Sequence, residues 1–257
     1  MEFLRHSRRR SVLSEVVYVL LNVLMAVAIL IVVQVTGSPL PALTLVLLSK
    51  WRVLAVRPQH WPAHIVANSV DIIVSLSFVV LLSAATGALM TQIGLTLLYI
   101  AWLLLLKPRS KRVFVTLQAG VATFAGVSAL VQISYDWLDI VVVLAMWVIG
   151  CATARHVLTS YQDVHFKLLS LVWGLVLAEL GWLIYHWSFG YDLRITGDLM
   201  LSQAAVIVTL LGFLAERTYA SYHRHGHVVT TDILLPILLV VSSIGLLLTV
   251  FGQIQTI

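Results

Sequence analysis

The 257 residues are 60% hydrophobic and 11% charged, where an average soluble domain is about 25% charged. That leaves too few polar side chains to cover a water-facing surface, and with a mean hydropathy of +1.00 it excludes a soluble globular domain and a disordered chain. Cys151 is the single cysteine and cannot pair within the chain, so a secreted disulfide scaffold is excluded too. What remains is an all-α integral membrane protein built almost wholly of spanning segments.

The N-terminal residues 1–11 form a basic tail with Arg5, Arg8, Arg9 and Arg10. The apolar run behind it, Val16 to Val35, is about 20 residues, longer than the 7–15 of a signal core. No small-x-small cleavage site follows, and Gly37-Ser38-Pro39 reads as a turn. The run is therefore expected to be a retained first span.

A helix rises 1.5 Å per residue, so about 20 apolar residues cross the hydrocarbon core. Nine spans are expected, at about 15–36, 40–56, 64–86, 90–107, 113–135, 138–154, 168–189, 198–216 and 232–252. They form a single transmembrane helical domain over 12–257. The segments are continuously apolar and do not alternate, which disfavours a β-barrel. Pro39, Pro41, Pro58, Pro62 and Pro108 fall at turns, whereas Pro236 lies inside the last span, where a kink is expected. The loop over 155–167 has helical spacing and is expected to extend a span or to lie along the interface.

Charge gives an independent reading of the same map. With the N-terminus inside, every one of the 16 basic residues except Arg194 falls on an inner loop, and Asp136, Asp139, Asp192 and Asp198 fall outside. This positive-inside bias predicts a multi-pass protein of the cytoplasmic (inner) membrane, N-terminus cytoplasmic and C-terminus outside. The net charge of +5 is then a topology signal and not a nucleic-acid footprint.

Residues 86–92 (Thr-Gly-Ala-Leu-Met-Thr-Gln) resemble residues 196–203 (Thr-Gly-Asp-Leu-Met-Leu-Ser-Gln). Both lead into an inward-running span, which raises a duplication of two parallel halves, 12–107 and 113–216, with 232–252 as an extra helix. Chance similarity between two short loops is the competing explanation.

Few polar residues lie at middle depth. Glu179 is the most informative, because an acid near a span centre costs about 2.5–3.5 kcal/mol and such residues usually face the bundle interior. Trp182 and His186 follow it on the same helix face. Either the group handles protons or cations, or it is a neutral carboxyl bonded to a neighbouring helix. Ser75, Tyr99, Thr123, Thr209, Ser242 and Ser243 could join Glu179 around a polar midplane cavity, although serine and threonine also bond their own helix backbone.

Asp71 lies in the inner part of the third span. The turn between spans two and three centres near His60, which sets residues 50 and 71 at similar depth. A structural ion pair with Lys50, otherwise Arg52 or Arg57, is expected. His223, His225 and His227, flanked by Glu216 and Asp232, suit zinc or nickel by ligand type, but their spacing matches no structural zinc pattern. Cys151 reads as a small buried hydrophobe, and Ala122 and Gly126 as a weak helix-packing signal.

No hydrolase signature and no phosphate-binding loop is present, and nothing calls for a cofactor. The expected partners are the lipid bilayer, with a second copy or another membrane protein, and no nucleic acid. Three function classes remain. They are a transporter or channel-like protein using a polar midplane around Glu179, a non-catalytic membrane subunit or scaffold, and a membrane-embedded enzyme with a cytoplasmic-face site.

Overall fold

The computed structural model describes residues 12–51, 55, 57–186, 190–192 and 200–250. The basic tail, Arg52, the loop copy at 196–199 and the C-terminal end of the last expected span lie outside these residues. Helix α1 (Val12–Thr36) ends where Gly37 takes φ +61°, a left-handed conformation that suits glycine. Ser38 then caps α2 (Pro39–Ser49) by accepting from the Leu40 N–H at 3.4 Å, and the prolines sit in its first turn, where a missing N–H costs nothing.

A 3₁₀ turn (Pro58–His60) leads into α3 (Trp61–Ala67). Asn68 steps out of helical geometry (φ −105°, ψ 6°) before α4 (Ser69–Ala84). Helix α5 (Leu89–Ala101) widens into a π-turn over Trp102–Leu106. Then come α6 (Arg112–Ile133), α7 (Asp139–Ser160) and α8 (Phe166–His186). A pair of three-residue strands, β1 (Gly190–Asp192) and β2 (Met200–Ser202), pairs antiparallel. Helices α9 (Gln203–His225) and α10 (Thr230–Val250) complete the chain.

Among the described residues seven helices are long and apolar enough to cross a membrane; α2 and α4 are shorter. The expected count of nine is therefore not confirmed. The 11 residues of α2 rise about 16 Å, roughly half of a 30 Å core. The third expected span is divided at Asn68. The structure also departs from an all-α expectation by the strand pair, which moves the start of the eighth expected span from 198 to Gln203, with Ser202 capping α9. Helix α7 runs six residues past its expected end, taking up the first part of the 155–167 loop. Helix α10 continues through Pro236 without interruption.

Two apolar cores share one wall. The first gathers Ala26, Ile29 and Val33 of α1, Val46 of α2, Val74 and Leu82 of α4, and Tyr99 and Trp102 of the α5 segment. The second gathers Val127 of α6, Met146 and Ile149 of α7, Leu177 of α8 and Val208 of α9. Helix α6 is the most buried of the long helices. Its Ala122 belongs to the first core and its Val127 to the second. Small side chains make this possible: a Cβ on Gly126 would sit 3.1 Å from Ile73 of α4 and 3.2 Å from Ile149 of α7.

The tightest contact joins α7 to α8. A Cβ on Gly150 would lie 2.9 Å from the Leu177 Cβ and 3.0 Å from the Gly174 Cα, and one on Gly181 would lie 2.6 Å from Met146 Cγ. Lipid offers no hydrophobic drive for helix association, so close backbone approach of this kind supplies the packing energy. Gly150→Ala meets backbone, which cannot swing aside, and should force α7 and α8 apart at a cost of about 1–3 kcal/mol. A stability measurement in detergent, by urea or heat, checks it; an unchanged midpoint would refute the tight contact.

A charged and aromatic layer at the basic end

Helices joined by short turns collect their charges at two ends. One end carries Lys50, Lys107, Arg109, Lys111, Arg112, Arg155, Lys167 and Arg217, and the other Asp136, Asp139 and Asp192. At the basic end, Lys50 and Lys107 both reach Asp71. Lys50 pairs with Asp71 Oδ2 through its ammonium, and Lys107 Nζ lies 3.0 Å from the same oxygen. The Lys50 and Asp71 side chains are each 14% exposed, and Lys107 36%. Asp71 Oδ1 is buried and accepts no hydrogen bond among the described residues.

Local structure places all three residues. Lys50 is the C-cap of α2, Lys107 ends the π-turn and Asp71 lies in the first turn of α4. Helix C-termini favour cations and N-termini favour anions. The π-turn is set by Lys107 N–H donating to Trp102 O at 2.9 Å. It is held from α6 by the Gln118 amide, which donates to Leu106 O (2.6 Å) and Arg109 O (2.9 Å). The His156 ring completes the brace, with Nε2 2.8 Å from Gln118 Oε1.

Above Asp71 a buried polar line continues. Ser75 donates to Asp71 O at 2.6 Å, Tyr99 donates to Ser75 Oγ at 3.0 Å, and the Tyr99 ring stacks on Phe78 at 4.2 Å. Thr96 and Gln92 follow on the same face of α5. Thr96 donates to Gln92 O, Gln92 donates to Leu82 O, and Gln34 of α1 bonds to Gln92.

A second cluster at the basic end locks the α7–α8 loop to α9. Tyr161 donates to Glu216 Oε1 at 2.8 Å beneath the Arg112 guanidinium, which lies 4.2 Å from its ring. Tyr219 donates to Asp163 Oδ2, and its ring meets Tyr161 edge-on at 5.0 Å. Burial, with the bond to Glu216, pushes the Tyr161 phenol up to about 12. The Tyr219 hydroxyl and the His165 N–H hold the Asp163 carboxyl below its ordinary range.

The residues expected around a midplane cavity do not share one. Glu179 is exposed on the outside of α8, in a shallow groove bordered by Asp139, Ile140, Val143, Leu175, Ala178 and Trp182. The expectation that it faces other helices is corrected. It also stands 7 residues from the helix end at His186 and 13 from Phe166, so it lies toward the acidic end and not at the centre. His186 is exposed, with Nδ1 2.8 Å from Trp182 O. Thr123 and Thr209 bond their own helix backbones at Ala119 O and Ala205 O. Ser242 is exposed and bonds Leu239 O, and Ser243 is half-buried on the same thinly packed α10. Only Ser75 and Tyr99 of that set come together.

The histidines part company as well. His223 and His225 belong to the last turn of α9, where residues two apart point about 200° apart. His223 packs on Tyr161 (5.1 Å), while His225 Nδ1 lies 3.6 Å from Asp232 Oδ2. His227 follows Gly226, whose φ of +74° ends the helix. Among the described residues no three of His, Cys, Asp and Glu converge as a metal site.

Comparison with family models, with curated proteins and with solved structures finds no match. The fold alone defines the class: a helical protein with, among the described residues, seven helices long and apolar enough to cross a membrane.

Asp71→Asn leaves the largely buried Lys50 ammonium, with Lys107 beside it, facing a neutral amide. It should destabilise by about 3 kcal/mol, and Lys50→Met added to it should recover part of that loss, because the lone buried charge is the costly state. Thermal unfolding of the two single variants and the double variant tests the coupling. Additive losses would show that the residues do not act as a pair.

Proposed function

We propose that this chain is a non-catalytic membrane subunit that works by docking other membrane-spanning protein on its outer helix faces. The observation that carries the reading is Glu179. A carboxyl on the outside of a spanning helix, about 10 Å from its end, costs about 2.5–3.5 kcal/mol against lipid and little against a protein donor. The groove beside it runs along α7 and α8, with Asp139 at one end and Ile140, Leu175 and Trp182 as exposed apolar side chains. The packed glycine contact behind the groove holds this face rigid, which suits a docking surface.

Extraction of the wild type in native lipid by an amphipathic copolymer should yield an assembly heavier than the 28.4 kDa chain. Glu179→Gln, which keeps an amide donor and acceptor, should retain it, and Glu179→Leu should lose it. A monomeric wild type, or an assembly indifferent to Glu179→Leu, would sink this reading.

A transport reading has one observation in its favour, the buried line from Asp71 through Ser75 and Tyr99 to Gln92. It shifts the polar path from Glu179 to the first core. Proton or cation flux in reconstituted vesicles that Asp71→Asn abolishes would support it over docking.

The orientation follows from charge. We place the basic end in the cytoplasm under the positive-inside rule, because Lys50, Lys107, Arg109, Lys111, Arg112, Arg155, Lys167 and Arg217 group there. Cysteines introduced at Gln162 and Asp136 should label with an impermeant reagent from the inner and outer side respectively; the reverse pattern would invert the topology.

A further inference from the structure

We propose that the Lys50–Asp71–Lys107 cluster binds a phosphate group that comes with a hydroxyl donor, either an anionic lipid headgroup or a free phosphate. Two cations share one carboxylate oxygen, so the side chains alone hold a net charge of +1. Helix dipoles reduce this without cancelling it. The C-terminal ends of α2 and α5 each contribute about −0.5 and the N-terminal end of α4 about +0.5, leaving about +0.5. No second carboxylate lies within ion-pair distance of either lysine among the described residues. Such a surplus in a partly buried site favours an anion.

Asp71 adds the second half of the recognition. Its Oδ1 is buried with no donor, while Oδ2 takes both lysines. A buried carboxylate oxygen without a donor is costly. The ligand that completes the cluster therefore offers anionic oxygens to the ammonium groups and an O–H to Asp71. Chloride and an ionised carboxylate have no such donor. A phosphate with a hydroxyl has both.

Lys107 sits at headgroup depth and Asp71 below it. Asp71 is 13 residues from the α4 end at Ala84, about 20 Å along a roughly 30 Å core, which leaves it about 10 Å inside the basic-end boundary. Lys107, the most exposed of the three, comes at the end of the segment that begins at Leu89, close to the basic-end boundary. A ligand entering from that boundary meets Lys107 first. Basic pockets between spanning helices at this level are the usual seat of anionic lipid headgroups.

The test uses the full chain in nanodiscs, with unfolding followed by tryptophan fluorescence. Three arms are compared: phosphatidylcholine alone, phosphatidylcholine with one-fifth phosphatidylglycerol, and phosphatidylcholine with inorganic phosphate at ionic strength matched by chloride. A rise in Tm of about 2–4 °C in the phosphatidylglycerol arm identifies a lipid, and one in the phosphate arm a free phosphate. Lys107→Gln should abolish the rise and Lys107→Arg should keep it. Arg155→Gln, which removes a cation of the same end outside the cluster, should also keep it. Native mass spectrometry of the wild type gives a readout that needs no variant, as retention of phosphatidylglycerol over phosphatidylcholine or of a phosphate adduct. No rise in either arm, no selective retention, or a Lys107→Gln protein that responds as the wild type does would overturn the proposal. Neither outcome depends on whether Glu179 docks a partner.

Discussion

Everything in this fold leans on α6. In lipid, helices gain nothing from hiding apolar surface, so they associate only where backbones come close enough for dense van der Waals contact. Helix α6 provides that closeness on two sides at once. Ala119, Ala122, Thr123, Gly126, Ser128 and Ala129 are all buried along it, and small side chains let α4 approach one face and α7 the other. The first core would have no floor and the second no ceiling without this shared wall. Its Gln118 also reaches out of the packing layer to brace the π-turn, so the same helix that joins the cores holds the charge cluster in place.

Polar groups follow a consistent logic around that wall. Hydroxyls within spans bond to carbonyls one turn back, as Thr96, Thr123, Thr153 and Thr209 do, which satisfies them locally and spends no inter-helix contact. Longer side chains reach between helices, as Gln92 does to Leu82 O and Tyr18 to Leu103 O. Lys50, Asp71 and Lys107 lie at helix ends, where the backbone dipole assists them. Glu179 breaks this pattern, because it points outward seven residues from its helix end, beside Asp139 and apolar neighbours. That is why its surroundings carry the functional reading.

The helices were largely legible in the sequence, because a 20-residue apolar run between turn residues has few alternatives in a bilayer. The meeting of Lys50 and Asp71 was legible from the hairpin centred on His60, since equal distances from a turn mean equal depths. Rotation about the helix axis was not. Helix α8 is apolar on all sides, and no periodicity marks which side Glu179 takes. The Gly150–Gly174 contact and the π-turn that brings Lys107 to Asp71 were missed; glycines in three positions along α7 and α8 were the available sign of the first, and nothing in the sequence pointed to the second. The histidine tract was misjudged because α9 outruns its apolar stretch by some nine residues, drawn on by contacts of Tyr219 and His223 with the α7–α8 loop. That α2 ends at Ser49, where Lys50 leaves helical geometry, was not legible, because hydropathy measures how apolar a segment is, not where its backbone turns.

The π-turn at Trp102–Leu106 is in effect one extra residue stored in a helix. Converting it to ordinary α geometry would turn everything beyond it by about 100° and carry the Lys107 side chain around the axis, away from Asp71. The carbonyls that Gln118 holds would move with it. Helix register and charge neutralisation are thus a single coordinate here: whatever sets the number of ammonium groups on Asp71 also sets the winding of the chain entering α6.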